Sequence, residues 1–269
     1  MKKQPKTSLP SRKAGDAPVL PGVLKRGDGL SAGLLERLRR EKAMRLKGGL
    51  YHQTQVALCY NSNRIEGSRL SEEQTRHIFE TATLLPENGD AIRMDDLVET
   101  ANHFAAFDLL LDVADRPLDV RVIKRFHALL KRGTTDAARD WFRIGAYKRL
   151  PNVVGGRETT APRQVAKAVK VLLADYHARP IIAFEDIVDF HFRFEAIHPF
   201  QDGNGRVGRL IAFKECLAHG VVPFIIEENH KAFYYRGLSK YATTPEFLLD
   251  TCRSAQDRYA VWVRYFDES

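Results

Sequence analysis

The sequence is poor in cysteine, methionine and tryptophan, with 3, 3 and 2 of them in 269 residues. Cys59, Cys216 and Cys252 make an odd set without paired spacing. Each lies in an apolar or helical context that suits a reduced thiol, so neither a disulfide nor a zinc site is expected. No run approaches the ~18 apolar residues that a bilayer requires, which argues against a membrane span. The opening MKKQPKTSLPSRK has no apolar stretch behind its basic residues, so no secretory signal is legible and a cytoplasmic protein is expected. Internal repeats are also missing, which excludes solenoids and propellers. What remains is ordinary globular material, 44% hydrophobic and 28% charged. A chain of this length buries roughly three quarters of its unfolded surface and needs no staples.

Charge is unevenly spread. The net +8 divides into +9 over residues 1–50, where 13 Lys and Arg face 4 acidic residues, and −1 over residues 51–269. A basic arm on a neutral body is commonly a solvated tail or helix face. No DNA-reading helix pattern or interleaved aromatics accompany it, so no nucleic-acid partner is expected. Residues 1–30 combine Pro, Gly, Lys and Ser with few aliphatics and cannot repay the entropy of ordering, which predicts a flexible arm.

Beyond the arm the pattern is helical. From Ser31, offered as an N-cap, Leu34, Leu35, Leu38 and Met44 fall near helical spacing with basic residues opposite. Residues 51–65 read as a helix stopped by Gly67, which places Glu66 at a helix end, and Ser71 with Gln74 forms a capping box for the next. Further helices are expected at 91–113, at 118–132 with an apolar stripe from Leu118 to Leu130, and at about 162–178, 183–197, 206–219, 230–242 and 245–266. The exception is 145–160, where β-prone pieces flank Gly155-Gly156, a dipeptide suited to a tight hairpin turn. The expected fold class is all-α with one small β-hairpin flap.

The informative stretch runs from His198 through Pro199, Phe200, Gln201, Asp202, Gly203, Asn204 and Gly205 to Arg206, then on to Arg209. Gly203 and Gly205 permit close backbone approach, and the helix that follows opens its unpaired N–H groups toward the loop, which makes an anion cradle. Arg206 and Arg209, three apart, share a helix face and suit a polyphosphate. Asp202 is a hard oxygen ligand beside them, as Mg²⁺ prefers when it binds through a carboxylate plus substrate phosphates. His198 supplies a base whose ordinary pKa lies near neutrality. The loop lacks the Gly-Lys-Ser/Thr ending of a P-loop. Phe200 and His191 are assigned to packing. The set points to transfer of a phosphate-containing group.

These residues resemble the Fic family, whose motif HPFx[D/E]GNGRxxR is matched by His198–Arg209 at every defined position. The likeness extends over roughly 50–245, through His191 to Ile197 and the Tyr147-Lys148 hairpin. It implies an all-α, Fic-type helical domain with a small β-hairpin flap that moves AMP from Mg²⁺-ATP to a Ser, Thr or Tyr hydroxyl of a protein, including this chain itself. By that likeness His198 is the general base and Asp202 the Mg²⁺ ligand. Gly203, Asn204 and Gly205 form the cradle, Arg206 and Arg209 clamp the outer phosphates, and Tyr234 and Tyr235 line the adenine pocket. The flap residues Asn152, Val153, Val154 and Gly155 would dock the target as an added strand.

Ser62 to Gly67 resembles the [S/T]xxxE[G/N] inhibitory helix of Fic proteins that carry their own brake. Ser62 and Glu66 share a helix face, and the likeness implies autoinhibition through Arg209, with removal of AMP as a second activity. The expected organisation is an arm at 1–30, N-terminal helices at 31–90 with the inhibitory motif packed on the core, a Fic core at 91–245 with flap 145–160 and loop 198–209, and a C-terminal helix at 246–269. Two alternatives stay open from sequence, a Fic-fold transferase using UMP, phosphocholine or phosphate, and a nucleotide-binding adaptor without turnover. Self-association stays open as well.

Overall fold

Apolar residues at three- and four-residue spacing produce ten α-helices among the residues that a computed structural model of the chain describes, 29–85 and 91–267. In chain order these are α1 (Leu34–Met44), α2 (Leu50–Ile65), α3 (Glu72–Thr81), α4 (Met94–Val113), α5 (Val120–Lys131), α6 (Pro162–His177), α7 (Phe184–Ile197), α8 (Asn204–Ala218), α9 (Lys231–Lys240) and α10 (Glu246–Asp267). Two strands, β1 (Val153–Val154) and β2 (Arg157–Glu158), pair antiparallel around Gly155-Gly156. Both glycines have positive φ, 55° and 77°, as a type I′ turn demands. The all-α expectation with one hairpin holds, and the capping box at Ser71 is present in both directions.

Local corrections fall at helix ends. Gly33, in the left-handed region, caps α1 in place of Ser31, and Met44 is exposed because the last turn of α1 projects beyond the core. The helix expected from 206 begins at Asn204. The arm expected over 1–30 lies outside the described residues apart from its last two positions.

The core decides where the site can be. Leu38, Leu50, Leu110, Phe126, Val169, Phe194, Phe213 and Tyr259, from eight helices, close one cluster around α8. A second, with Ile65, Ile187, Ala212, Phe224, Leu248 and Cys252, closes on its other side. Helix α8 is therefore buried from Asn204 to Leu217, although it carries Arg206, Arg209, Lys214 and Glu215. Buried charges persist only when paired. Lys214 pairs with Glu215 at 2.7 Å, and the two arginines draw carboxylates in from α2, α4 and the loop before α8. No described helix is long and apolar enough to cross a membrane.

Candidate active site

Helix α7 ends where His198 turns left-handed at φ 51°, its N–H bonding to Phe194 O at 2.9 Å. A non-glycine residue in that region is strained and persists only where its surroundings fix it. Here they do. Asn204 pins the loop, accepting from Phe200 N at 2.7 Å and donating to Phe200 O at 2.9 Å. The buried Phe200 ring stacks on His127 of α5, centroids 4.0 Å apart and planes 1° from parallel. Gly203, at φ 78°, then caps α8.

The flap locks onto the same loop. Lys148 N donates to Pro199 O at 2.9 Å, Asn152 Nδ2 to Phe200 O at 3.2 Å, and Leu150 N to Gln201 Oε1 at 3.2 Å. Lys148 Nζ ties the hairpin's own stem, reaching Asn152 Oδ1 at 2.7 Å and Thr159 Oγ1 at 2.5 Å. Val153 and Val154 stay exposed on β1, which among the described residues pairs with β2 alone.

Burial lowers the His198 pKa below its ordinary 6.5, with nearby Lys148 adding to the effect and the Glu195 carbonyl opposing it. The ring is therefore neutral at pH 7. His198 Nδ1 lies 3.3 Å from Glu195 O, so a proton held there leaves Nε2 as the free base. Asp202 behaves oppositely. Burial works to raise its pKa, but Arg206 and Lys131 outweigh it and hold the carboxyl down at about 2. Its Oδ2 accepts from Lys131 Nζ at 2.6 Å and Arg206 Nη2 at 3.2 Å, while the side chain remains 45% exposed. Among the described residues no cluster of three metal-ligating side chains exists. One permanently ionised, half-exposed carboxylate beside an anion cradle fits Mg²⁺, which takes its other ligands from phosphates and water.

The arginines separate in role. Arg206 is 3% exposed and bound to Glu99 Oε2 at 2.5 Å as well as to Asp202, so it braces the loop from beneath. Arg209 faces the cradle. Its Nε donates to Ser62 Oγ at 2.9 Å, and its Nη2 donates to Ser62 O at 3.0 Å and to Glu66 Oε1 at 2.7 Å. Ser62 and Glu66 of the α2 end thus meet the partner that the sequence singled out. Glu66 Oε1 also lies where a Cβ on Gly205 would stand, so the carboxylate rests on the bare α8 N-terminus like a bound anion. Gly205→Ala gains about 1 kcal/mol of helix propensity but expels Glu66 from a charged hydrogen bond worth about 1.5–3 kcal/mol. The expected outcome is a net loss of about 0.5–2 kcal/mol, read from the urea midpoint.

Tyr234 is buried, its OH 2.8 Å from His191 Nε2, and Tyr235 is partly exposed with its OH donating to Ile65 O at 3.1 Å. The structure thus brings His198, Asp202, Gly203, Asn204, Gly205, Arg209, Ser62, Glu66 and the flap to one place. Lys131, Glu99, His127 and Glu195 escaped the sequence reading as site residues, and Lys148 entered it only through the likeness of the Tyr147-Lys148 hairpin. A signal existed for some: His127 and Lys131 fall in phase with the Phe126–Leu130 stripe, and Asp96, Thr100 and His103 mark a polar face on α4 that includes Glu99.

A helical domain with a hairpin over an HPFxDGNGRxxR loop is the Fic fold, and comparison with known proteins bears this out. Residues 117–215 match the Fic/DOC family. The chain is 27% identical over 197 residues to protein adenylyltransferase fic-1 of Caenorhabditis elegans, covering 70% of this chain and 37% of that protein. It is 26% identical over 181 residues to protein adenylyltransferase Fic of Aedes aegypti, covering 65% and 35%. The chain thus spans little more than a third of the curated relatives it matches. Among solved structures, Fic-1 (residues 134–508) of C. elegans superposes with a TM-score of 0.67 at 20% identity, covering 89% of this chain and 72% of that one. A Fic domain containing signaling protein from Bacteroides thetaiotaomicron gives 0.64 at 21%, covering 87% and 91%.

Proposed function

We propose that this chain is a protein adenylyltransferase that moves AMP from ATP to a hydroxyl of a protein and is held back in cis by Glu66. The observation that carries this is the cradle itself: a bare helix N-terminus with Arg209 beside it, a neutral His198 at its lip, and a carboxylate lying where a phosphate would. The attacking hydroxyl oxygen bonds to the α-phosphorus, its proton passes to His198 Nε2, and the bond to the bridging oxygen breaks to release pyrophosphate. Backbone N–H groups at Gly203–Gly205 and the Arg209 guanidinium offset the charge that develops on the leaving phosphates. Asp202 would hold Mg²⁺, which supplies Lewis-acid charge neutralisation when bound. Tyr235, at the mouth of the pocket, would meet the adenine over the buried Tyr234. The free edge of β1 would take the target backbone as a third strand, a mode that tolerates varied target sequence.

The test is label transfer with the Glu66→Gly chain. Radiolabel from the α-phosphate of Mg²⁺-ATP should enter protein, while label from the γ-phosphate should not. Transfer of γ-label, or stronger transfer from UTP, would replace AMP by phosphate or UMP. Nucleotide binding without transfer of any label onto lysate proteins would favour an adaptor.

A further inference from the structure

The Glu195 carboxyl takes no part in the chemistry above, yet it lies one turn before His198 on α7 and beside its ring. Its side chain is 12% exposed, and Oε2 stands 3.9 Å from His198 Nδ1. Oε1 is buried and has no hydrogen-bond partner among the described residues. Oε1 and the His191 ring together fill the place where a Cβ on Gly208 would stand, so the carboxyl is wedged against the helix that carries Arg209. Arg209 Nη1 is likewise buried and without a hydrogen-bond partner among the described residues. An ionised carboxylate and a guanidinium sharing a dry pocket would close into an ion pair, because either charge left unpaired is costly. Among the described residues, Arg209 makes its ion pair with Glu66 instead. That arrangement fits a neutral, protonated Glu195.

We propose that Glu195 is a positioning residue that acts through Arg209: protonated, it leaves the guanidinium to the anion in the cradle, and ionised, it draws the guanidinium away and repels that anion. This rests on the cradle being the phosphate site. The groups facing Glu195 are Glu66 from α2, Arg209 from α8, Tyr234 and Tyr235 from α9, and His191 and His198 from its own helix. Lys148 of the flap acts on His198. Burial pushes the Glu195 carboxyl up to about 8, Arg209 pulling it down and Glu66 adding to the rise. A bound phosphate, also negative, favours the protonated form. Affinity is therefore complete below the free carboxyl's pKa and falls as pH rises through it. Without Glu66 that pKa is lower, so in the Glu66→Gly chain the loss begins below pH 8.

The experiment is calorimetric binding of Mg²⁺-ATP from pH 7 to 9, comparing Glu66→Gly with Glu66→Gly/Glu195→Gln. The expected result is a fall of up to about tenfold per pH unit in the first chain and a profile flat to about twofold in the second. An equal fall in both would assign the titration to Lys148, whose ammonium burial lowers to about 8, and would overturn the proposal. Flat profiles in both would overturn it too. Binding to neither chain at any pH would overturn the phosphate-site reading and the proposal with it. An independent check, which needs no variant, is the ¹³C carboxyl resonance of Glu195 in the natural chain. Its midpoint is expected above pH 7, and a group already ionised at pH 6.5 would overturn the proposal.

Discussion

The Glu66→Gly chain should transfer AMP about ten- to hundredfold faster than the natural chain at limiting ATP, with the change carried mainly by ATP binding. The magnitude follows from what Glu66 holds. Its Oε1 accepts a 2.7 Å charged hydrogen bond from Arg209 and lies over the Gly205 backbone at the mouth of α8. A charge-assisted bond of this kind is worth about 1.5–3 kcal/mol, and an incoming phosphate must displace it before it can reach the same donors. Removing the carboxylate makes that displacement unnecessary. Glu66→Gln is the sharper variant: it keeps the volume and the helix end but loses the charge, and should recover most of the gain. Initial rates with α-labelled ATP at several concentrations read both, and an unchanged rate in both variants would refute the brake.

His198→Ala in the Glu66→Gly background should lower transfer by about 10²–10⁴ while leaving nucleotide affinity within a few-fold, because His198 sits at the lip of the cradle and not among its donors. The pH profile sharpens this. Burial depresses the His198 pKa below 6.5, so the base stays neutral and transfer is level on the acid side until the pH falls through that lowered value. Glu66 raises the His198 pKa slightly, so its removal moves the acid limb lower still. Both limbs follow from stopped assays across pH 5 to 8. A chain whose acid limb lies above pH 6.5, or whose His198→Ala variant retains full transfer, would need a different base.

The motif loop was fully legible in sequence because its chemistry is local. The six residues from His198 to Gly203 and the turn of helix behind them need only short-range geometry, and the structure keeps them together. Glu66 was legible for another reason: a helix end is announced by Gly67, and Ser62 falls one turn before it. What escaped were the partners supplied by distant helices. Lys131 and Glu99 lie 32 residues apart and meet within 2.6 Å only because α4 and α5 pack on α8. Periodicity marks such positions as buried without saying which carboxylate they will meet. Arg206 was read as a phosphate clamp from its spacing and from the resemblance, and its ion pairs with Glu99 and Asp202 were not legible there. Helix ends at Ser31 and Arg206 slipped by two residues because glycine, in the left-handed region, took the capping role at Gly33 and Gly203.

The burial of α8 makes the proposed brake a strut as well. Arg209 lies inside the domain, and without Glu66 its guanidinium keeps Ser62 but loses its counter-charge. Losing that charged hydrogen bond costs about 1.5–3 kcal/mol, a sizeable share of a domain's margin. An anion in the cradle restores the balance. The unbraked fold is thus one whose melting temperature is set by nucleotide concentration, and in a cell low in ATP it would be the released form, not the restrained one, that is cleared first.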